Sequence, residues 1–421
     1  MKTSSKKKRA LVVRCEGGPF RTRMSKVLAA LLDCAYQVEI LIPEGKEGGC
    51  PFTYREGKPL RDFVRIHIYH ATPGLPGKVK RFLYPSYVAP DIDFNLALER
   101  LLGSDDYDLV ILKDSHKLDV LFNTLDRLAL SGVRVMCDMY ENASEQSYDN
   151  LVRFANPLTR IIASSRGIFA AIRRIESVYL KRCDRIFVVV DEMKRFLLER
   201  YPVSEDRISV VENVERLASF DGIEFSRDAY VERARDRKIV SYVGSVGAHR
   251  GIDLFLKAIR ELAPTERRKA FFVIVGAQPW QKPLIRARAL GLGVDADVAV
   301  IGYVPHEEAM RWIKATDIGV IPHRDTEFIR TTVPNKLFQY MAASAMVIVS
   351  DVGPLSRIAE ETDCGVSFRP DSPVDFAEAI RQWLKRTEER IERGRKGRKA
   401  VEERYCWEKL SQRYLDYFDS V

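Results

Sequence analysis

The feature that most constrains this chain is an alternation of short apolar runs with helical segments, and it occurs twice. Runs suited to strands read at "ALVVRC", "VEILIP", "FVRIHIY", "DLVILK", "VRVMCD" and "RIFVVV". After about residue 215 the pattern restarts with "KIVSYVG", "FFVIVG", "VAVIGYV", "DIGVIP", "AMVIVS" and "CGVSF". Continuous apolar strands separated by helices imply parallel sheets covered on both faces, because each parallel crossover needs room for a helix. The expectation is an α/β chain of two doubly wound Rossmann-like domains, residues 1–215 and 216–400, joined through the polar stretch Asn213 to Lys238. A length of 421 residues, 46% of them hydrophobic, is enough for a full core in each. A last helix is expected from about Arg398 to Phe418, with Tyr405, Trp407, Leu410 and Tyr414 as a large apolar load for a terminal segment.

Composition excludes several classes. No apolar run approaches the roughly eighteen residues of a membrane span, and no secretory signal pattern is visible. The seven cysteines are scattered with no C-x-x-C pair, which points to reduced thiols and a cytoplasmic home and away from zinc or disulfide frameworks. A net charge of +9 favours phosphate-bearing partners or an anionic membrane surface. Zinc-finger, RNA-binding and helix-turn-helix signatures are lacking, so nucleic acid is not an expected partner. In "RIIASSRGIFAAIRRIESVYLKR", Ile161, Ile168, Ile172, Ile175 and Tyr179 share one helical stripe, with Arg166, Arg173, Arg174 and Lys181 opposite. Such a helix either lies on an anionic leaflet or packs on its own sheet. "PGKVKRFLYPSYV" is a second basic and aromatic patch.

Ligands of doubly wound sheets bind outside the carboxyl ends of the strands. The first such loop, "CEGGPF", offers Gly17 and Gly18, where a ligand can approach the backbone closely. In "YVGSVGAHRGIDLFLKAI", Gly244 and Gly247 permit a tight turn, and Arg250 can present a planar charged fork to a phosphate. The stretch "TTVPNKLFQYMAASAMVIVSD" carries the most. Pro334 suits a first helical turn, Leu337, Tyr340 and Met341 recur at helical spacing, Ser344 ends the helix, and Ala345 to Ser350 form a buried strand. A helix that opens behind Thr331 and Thr332 aims unpaired backbone N–H groups at an anion.

Taken in order, these pieces resemble the nucleotide-sugar-binding domain of GT-B glycosyltransferases of the retaining, family 4 type. "IGYVPHEEAMRWIKATDIGVIP", "PNKLFQYMAAS", "VIVSDVGPL" and "CGVSFRPDSPVDFAEAI" complete the match, and "VMCDMYE" and "RCDRIFVVVDEMKRFLLERY" resemble the acceptor domain. The resemblance implies two domains facing a cleft, with residues 401–421 crossing back onto the first. It implies transfer of a sugar from a nucleotide diphosphate to a hydroxyl of a glycan or lipid-linked acceptor, with no metal or other cofactor. The diphosphate would be held by Gly244, Ser245 and Arg250 and by the turn of Asn335, Lys336 and Leu337, with the base near Tyr303. Where the family has its pair of Glu, this chain has Thr331 and Gln339; Glu327 is a carboxylate in the same loop. Tyr140 stands where the family has a His, with Asp138 and Glu141 beside it to orient an acceptor, and Asp114 and His116 as further polar groups at strand ends. A nucleotide-sugar epimerase or hydrolase, or a catalytically silent relative, would fit the altered pair as well. Because an amide makes weaker bonds than a carboxylate, Gln339→Glu is expected to tighten nucleotide binding by about 1 kcal/mol.

Overall fold

The computed structural model describes residues 7–13, 22–45, 54, 55, 58–69, 92–153, 168–234 and 237–421. Gly17 and Gly18, the patch "PGKVKRFLYPSYV", and Ile161 and Arg166 of the basic stripe lie outside the described residues. The chain divides into two compact units, residues 1–211 with 411–421, and residues 212–410.

The first unit is built on seven parallel strands: β1 (Arg9–Val13), β2 (Gln37–Pro43), β3 (Val64–Tyr69), β4 (Leu109–Lys113), β5 (Arg134–Asp138), β6 (Arg185–Val188) and β7 (Ile208–Val210). Their order is β3-β2-β1-β4-β5-β6-β7. β1 and β4 are buried along almost their whole length, as strands covered on both faces must be. The covering helices include α1 (Thr22–Asp33), α2 (Leu118–Arg127), α3 (Ala143–Tyr148) and α4 (Ile168–Tyr179). α4 is the described part of the basic stripe, and it packs against α2 and α3. Ile172 is fully buried, Tyr179 stacks on Phe122, and Arg173 donates to Glu145 at 2.9 Å. Of the two readings open for this segment, packing on its own domain is the one the apolar side follows.

The second unit carries six parallel strands: β8 (Lys238–Val243), β9 (Ala270–Ala277), β10 (Val298–Gly302), β11 (Ile318–Ile321), β12 (Met346–Ser350) and β13 (Gly365–Phe368). The order is β10-β9-β8-β11-β12-β13. Helices α5 (Ile252–Glu261), α6 (Gln281–Gly291), α7 (His306–Ala315), α8 (Glu327–Arg330), α9 (Asn335–Ala342) and α10 (Thr387–Glu403) belong to this unit. Phe255, Phe272, Ile274, Phe368 and Phe376 are among its core. The stretch from Asn213 to Lys238 belongs to this unit and holds short helices at Leu217–Asp221 and Asp228–Ala234.

The single terminal helix expected from Arg398 to Phe418 is broken. α10 ends at Glu403, a short turn spans Trp407–Leu410, and α11 (Gln412–Ser420) follows. The cause is packing in two places. Tyr405 turns in against Phe338, with ring centroids 5.0 Å apart, and the Trp407 N–H bonds the Glu215 carbonyl at 3.0 Å, both in the second unit. Tyr414 instead stacks on Phe187 at 4.1 Å in the first. No described helix is long and apolar enough to cross a membrane.

Candidate functional site

At the carboxyl end of the second sheet, loops from β8 and β11 meet the start of α9. Gly251 has φ of 71°, and a methyl group there would lie 1.7 Å from the Pro322 carbonyl oxygen. Only glycine allows that approach, and it holds the turn Ala248–Arg250 against the end of β11. The Arg324 N–H fixes the same contact by bonding the His249 carbonyl at 2.9 Å. As a result Arg250 reaches His323, Nη1 to Nε2, at 3.4 Å.

α9 arrives from the other side. Pro334 is its N-cap with extended backbone, and Asn335 opens the helix, one residue later than expected. Ser344 ends the helical segment in the left-handed conformation, as its position predicts. Tyr340 anchors the helix to β8, donating to the Ser241 carbonyl and accepting from the Val243 N–H, both at 2.9 Å. This places Lys336 over the β8 loop. Its Nζ sits 3.5 Å from the centroid of the Tyr242 ring, and a methyl group on Gly244 would lie 3.0 Å from it.

Lys336 is buried, yet its Nζ has no hydrogen-bond partner among the described residues. Burial, with Arg250 adding repulsion, holds its pKa well below the ordinary lysine value. The same pressures act on two histidines. Burial, then Arg250 and Lys336, pushes His249 down to about 3, and His323, fully buried, is held well below its ordinary value by burial, Arg250, Lys336 and His249. Four cation-capable side chains thus crowd one pocket, and no carboxylate is among the groups that shift the three depressed ones. Such a cluster is costly when empty and is relieved by an anion of high charge.

The other expected donor contacts distribute as follows. Ser245 is exposed, and its carbonyl accepts from the Tyr242 hydroxyl at 2.6 Å. Tyr303 follows β10 and is 70% exposed. Thr332 is buried and Asn335 half-buried beside the start of α9. Leu337 lies in the core and its N–H already bonds the Pro334 carbonyl at 3.1 Å, so neither its side chain nor its amide is turned to a ligand. The Thr331 hydroxyl closes the end of α8, donating to the carbonyls of Glu327 at 2.8 Å and Phe328 at 3.2 Å. Glu327 itself is half-buried in the first turn of α8.

Gln339 has a partner that the sequence did not announce. Its Nε2 donates to Glu215 Oε1 at 2.7 Å. A glutamate at 339 would set two carboxylates at that distance, where one must move or take up a proton. Gln339→Glu therefore carries a cost to the fold, separate from its effect on nucleotide binding. The substitution is expected to destabilise the protein by about 1–3 kcal/mol, the cost of a buried polar group left without its partner. Glu215→Gln in the same chain should restore most of the loss. Denaturant melts of the native protein, both single variants and the double variant measure this coupling.

In the first unit, Asp138 is fully buried and belongs to an internal network. Arg23 Nη2 donates to it at 2.9 Å and to the Tyr414 hydroxyl at 2.6 Å, and that hydroxyl donates to Asp138 Oδ1 at 2.9 Å. Against the cost of burial, Asp138 raises the Arg23 pKa above its ordinary value. The expectation that Asp138 orients an acceptor is corrected: its carboxyl is spent on a buried ion pair. Tyr140 is half-buried, its ring under Arg23 at 5.0 Å and Lys113 at 4.9 Å, and its N–H bonds Asp114 at 3.2 Å. Glu141 accepts from the Gln146 amide. Among the described residues no group of three or more His, Cys, Asp or Glu could hold a metal ion.

Two doubly wound parallel domains with this strand order, followed by a returning C-terminal helix, have the GT-B fold. The chain superposes on a sucrose-phosphate synthase from Thermosynechococcus elongatus with a TM-score of 0.76 at 16% identity, covering 98% of this chain and 100% of the other. It also superposes on Anabaena Alr3699/HepE in complex with UDP and glucose, with a TM-score of 0.69 at 12% identity over 98% and 100% of the two chains. Residues 226–400 match the family model of glycosyl transferases group 1. In sequence the chain is similar to the uncharacterized glycosyltransferase MJ1607 of Methanocaldococcus jannaschii, 24% identical over 255 residues, 59% of this chain. That match spans 63% of the relative's length.

Sequence reasoning did not assign His249, His323 or Glu215 to the site. His323 stands two residues after β11 and His249 in the loop that follows β8, both in stretches already singled out, and that position was the available signal. Nothing local marks Glu215, whose partner is 124 positions away.

Proposed function

We propose that this protein is a glycosyltransferase that moves a sugar from a nucleoside-diphosphate sugar to a hydroxyl of a glycan or lipid-linked acceptor in the cytoplasm. The observation that carries the reading is the buried, acceptor-less Lys336 beside Arg250 at the N-terminus of α9. A diphosphate is the ligand whose charge density matches that cluster. Its oxygens would take Lys336 Nζ, the Arg250 fork and the first amides of α9, and the base would lie near Tyr303. In the reaction these groups stabilise the charge that grows on the departing diphosphate, which strengthens every bond they make as the sugar leaves. The leaving phosphate is the natural base for the acceptor hydroxyl, and retention of configuration is part of the proposal. Like the bound UDP of the Anabaena neighbour, the nucleotide is taken to be a uridine or related diphosphate.

A second reading has its own support. Thr331 and Gln339 supply no carboxylate, and both are engaged by their own domain. A silent relative would bind the nucleotide sugar without turning it over. A thermal-shift screen of nucleoside diphosphates and their sugars, followed by release of free diphosphate with glycan and lipid extracts, separates the two. The proposal expects a rise in melting temperature with one nucleotide family that Arg250→Ala removes, and turnover when acceptor is present. Stabilisation without turnover on any acceptor favours the silent relative, and no stabilisation by any nucleotide rejects both.

A further inference from the structure

α6 of the second unit presents its apolar residues on the wrong side for a soluble helix. Ile285 and Ala289 face inward, where the helix packs against β10 and α5. On the opposite side Trp280, immediately before the helix, is 66% exposed, Leu284 is 61% exposed and Leu290 66% exposed. Pro283 and Ala287 are exposed with them. At about 100° per residue, Trp280, Pro283, Leu284, Ala287 and Leu290 fall within one stripe of roughly 120°. Arg286 borders it on one edge and Arg288 on the other, both exposed. Neither arginine, nor Lys282, forms an ion pair among the described residues, and no Asp or Glu occurs between Ala270 and Val294.

We propose that this face of α6 is a membrane-docking surface that seats its apolar stripe in the headgroup boundary of an anionic lipid layer. Charge complementarity decides the occupant. Arginines on both flanks of an exposed apolar stripe, on a helix that itself carries no Asp or Glu, match an anionic surface. A single helix stripe offers a few hundred Å² at most, short of the roughly 800 Å² per partner of a stable protein interface. Trp280 at the helix start also suits the interface, since its ring is apolar and its N–H polar. Gln281 Nε2 donates to the Val246 carbonyl at 2.6 Å, which ties the start of this helix to the β8 loop. The inference stands on α6 alone and is independent of the reaction.

The protein supplies its own probe. Its four tryptophans are Trp280, Trp312, Trp383 and Trp407, and the last three are buried, so a spectral change on lipid reports Trp280. With the full-length protein and vesicles of phosphatidylcholine plus phosphatidylglycerol, flotation and a blue shift of tryptophan emission are expected together. Arg286→Glu with Arg288→Glu should lower the partition by about tenfold or more, and Leu284→Asp with Leu290→Asp should abolish both signals. These residues are exposed, and unchanged circular dichroism verifies that the variants fold. Flotation without a blue shift, equal binding to phosphatidylcholine alone, or no flotation would each overturn the proposal. A blue shift that grows with protein concentration in the absence of lipid would assign the face to a second copy of the chain instead.

Discussion

Replacing Lys336 with Met is expected to raise the stability of the empty protein and to destroy its affinity for diphosphates. The first effect follows from burial. Lys336 has no hydrogen-bond acceptor among the described residues and stands beside Arg250, so in the absence of a ligand its contact with the Tyr242 ring is set against the cost of an unsatisfied buried polar group. That cost is about 1–3 kcal/mol, which corresponds to a rise of several degrees in Tm for a unit of this size. Met keeps the length and apolar stem of the side chain and removes the ammonium. The second effect is larger. Truncating one partner of a buried, hydrogen-bonded charge pair costs about 2–5 kcal/mol, so nucleotide affinity should fall by between one and four orders of magnitude. A residue whose removal stabilises the fold and abolishes binding is kept for its ligand.

The pH dependence follows with a definite sign. Lys336 is depressed in the folded state, so from its folded pKa up to the unfolded value of about 10.4 the unfolded chain holds a proton that the folded chain lacks. Stability of the empty protein therefore rises with pH across that window, and Lys336→Met should remove this gradient. His323 and His249 act the same way at lower pH. Both are depressed, so stability is lost as pH falls below about 6.5, by up to ~1.4 kcal/mol per pH unit for each.

The second large effect lies in the first unit. Asp138→Ala leaves the Arg23 guanidinium buried without its counter-ion, with Tyr414 and the Val211 carbonyl as its remaining partners. Breaking a buried pair from one side costs about 3–5 kcal/mol. Removing both members should cost much less, so Arg23→Met with Asp138→Leu is expected to recover most of the stability. Hydrogen exchange reads this locally. Amides of β5 and β6 should exchange about 10² to 10³ times faster in Asp138→Ala, and the double variant should return towards the native rate. Full native protection in Asp138→Ala would show that the ion pair contributes nothing to the fold.

The sheets were legible in the sequence because most strands, among them β1, β4, β8, β9, β11 and β12, are apolar runs buried along all or nearly all of their length. β7 escaped because it is three residues long and only partly buried. The break after α10 was missed, although at about 100° per residue Tyr405 and Tyr414 fall on opposite sides of one helix, in keeping with their packing into different cores. For the site, glycine and proline positions gave the loops, and Arg250 and Lys336 were found as basic residues at strand and helix ends. What spacing could not give was environment. Lys336 reads as a surface lysine until the β8 loop, Tyr242 and the two histidines close around it. Asp138 reads as an active-site acid at a strand end until Arg23, 115 positions away, is seen to claim it. Gln339 likewise acquires its meaning from Glu215.

The central claim, that Lys336 and Arg250 hold a diphosphate, is tested most directly by calorimetry of nucleoside diphosphate binding in two buffers of different ionisation enthalpy. An anion that pairs with Lys336 restores its charge, so binding should take up protons at a pH where the empty site holds the lysine neutral. The account expects that uptake in the native protein, and with Lys336→Met loss of both the uptake and most of the affinity. Binding of equal strength in Lys336→Met, with the same proton balance, would contradict it.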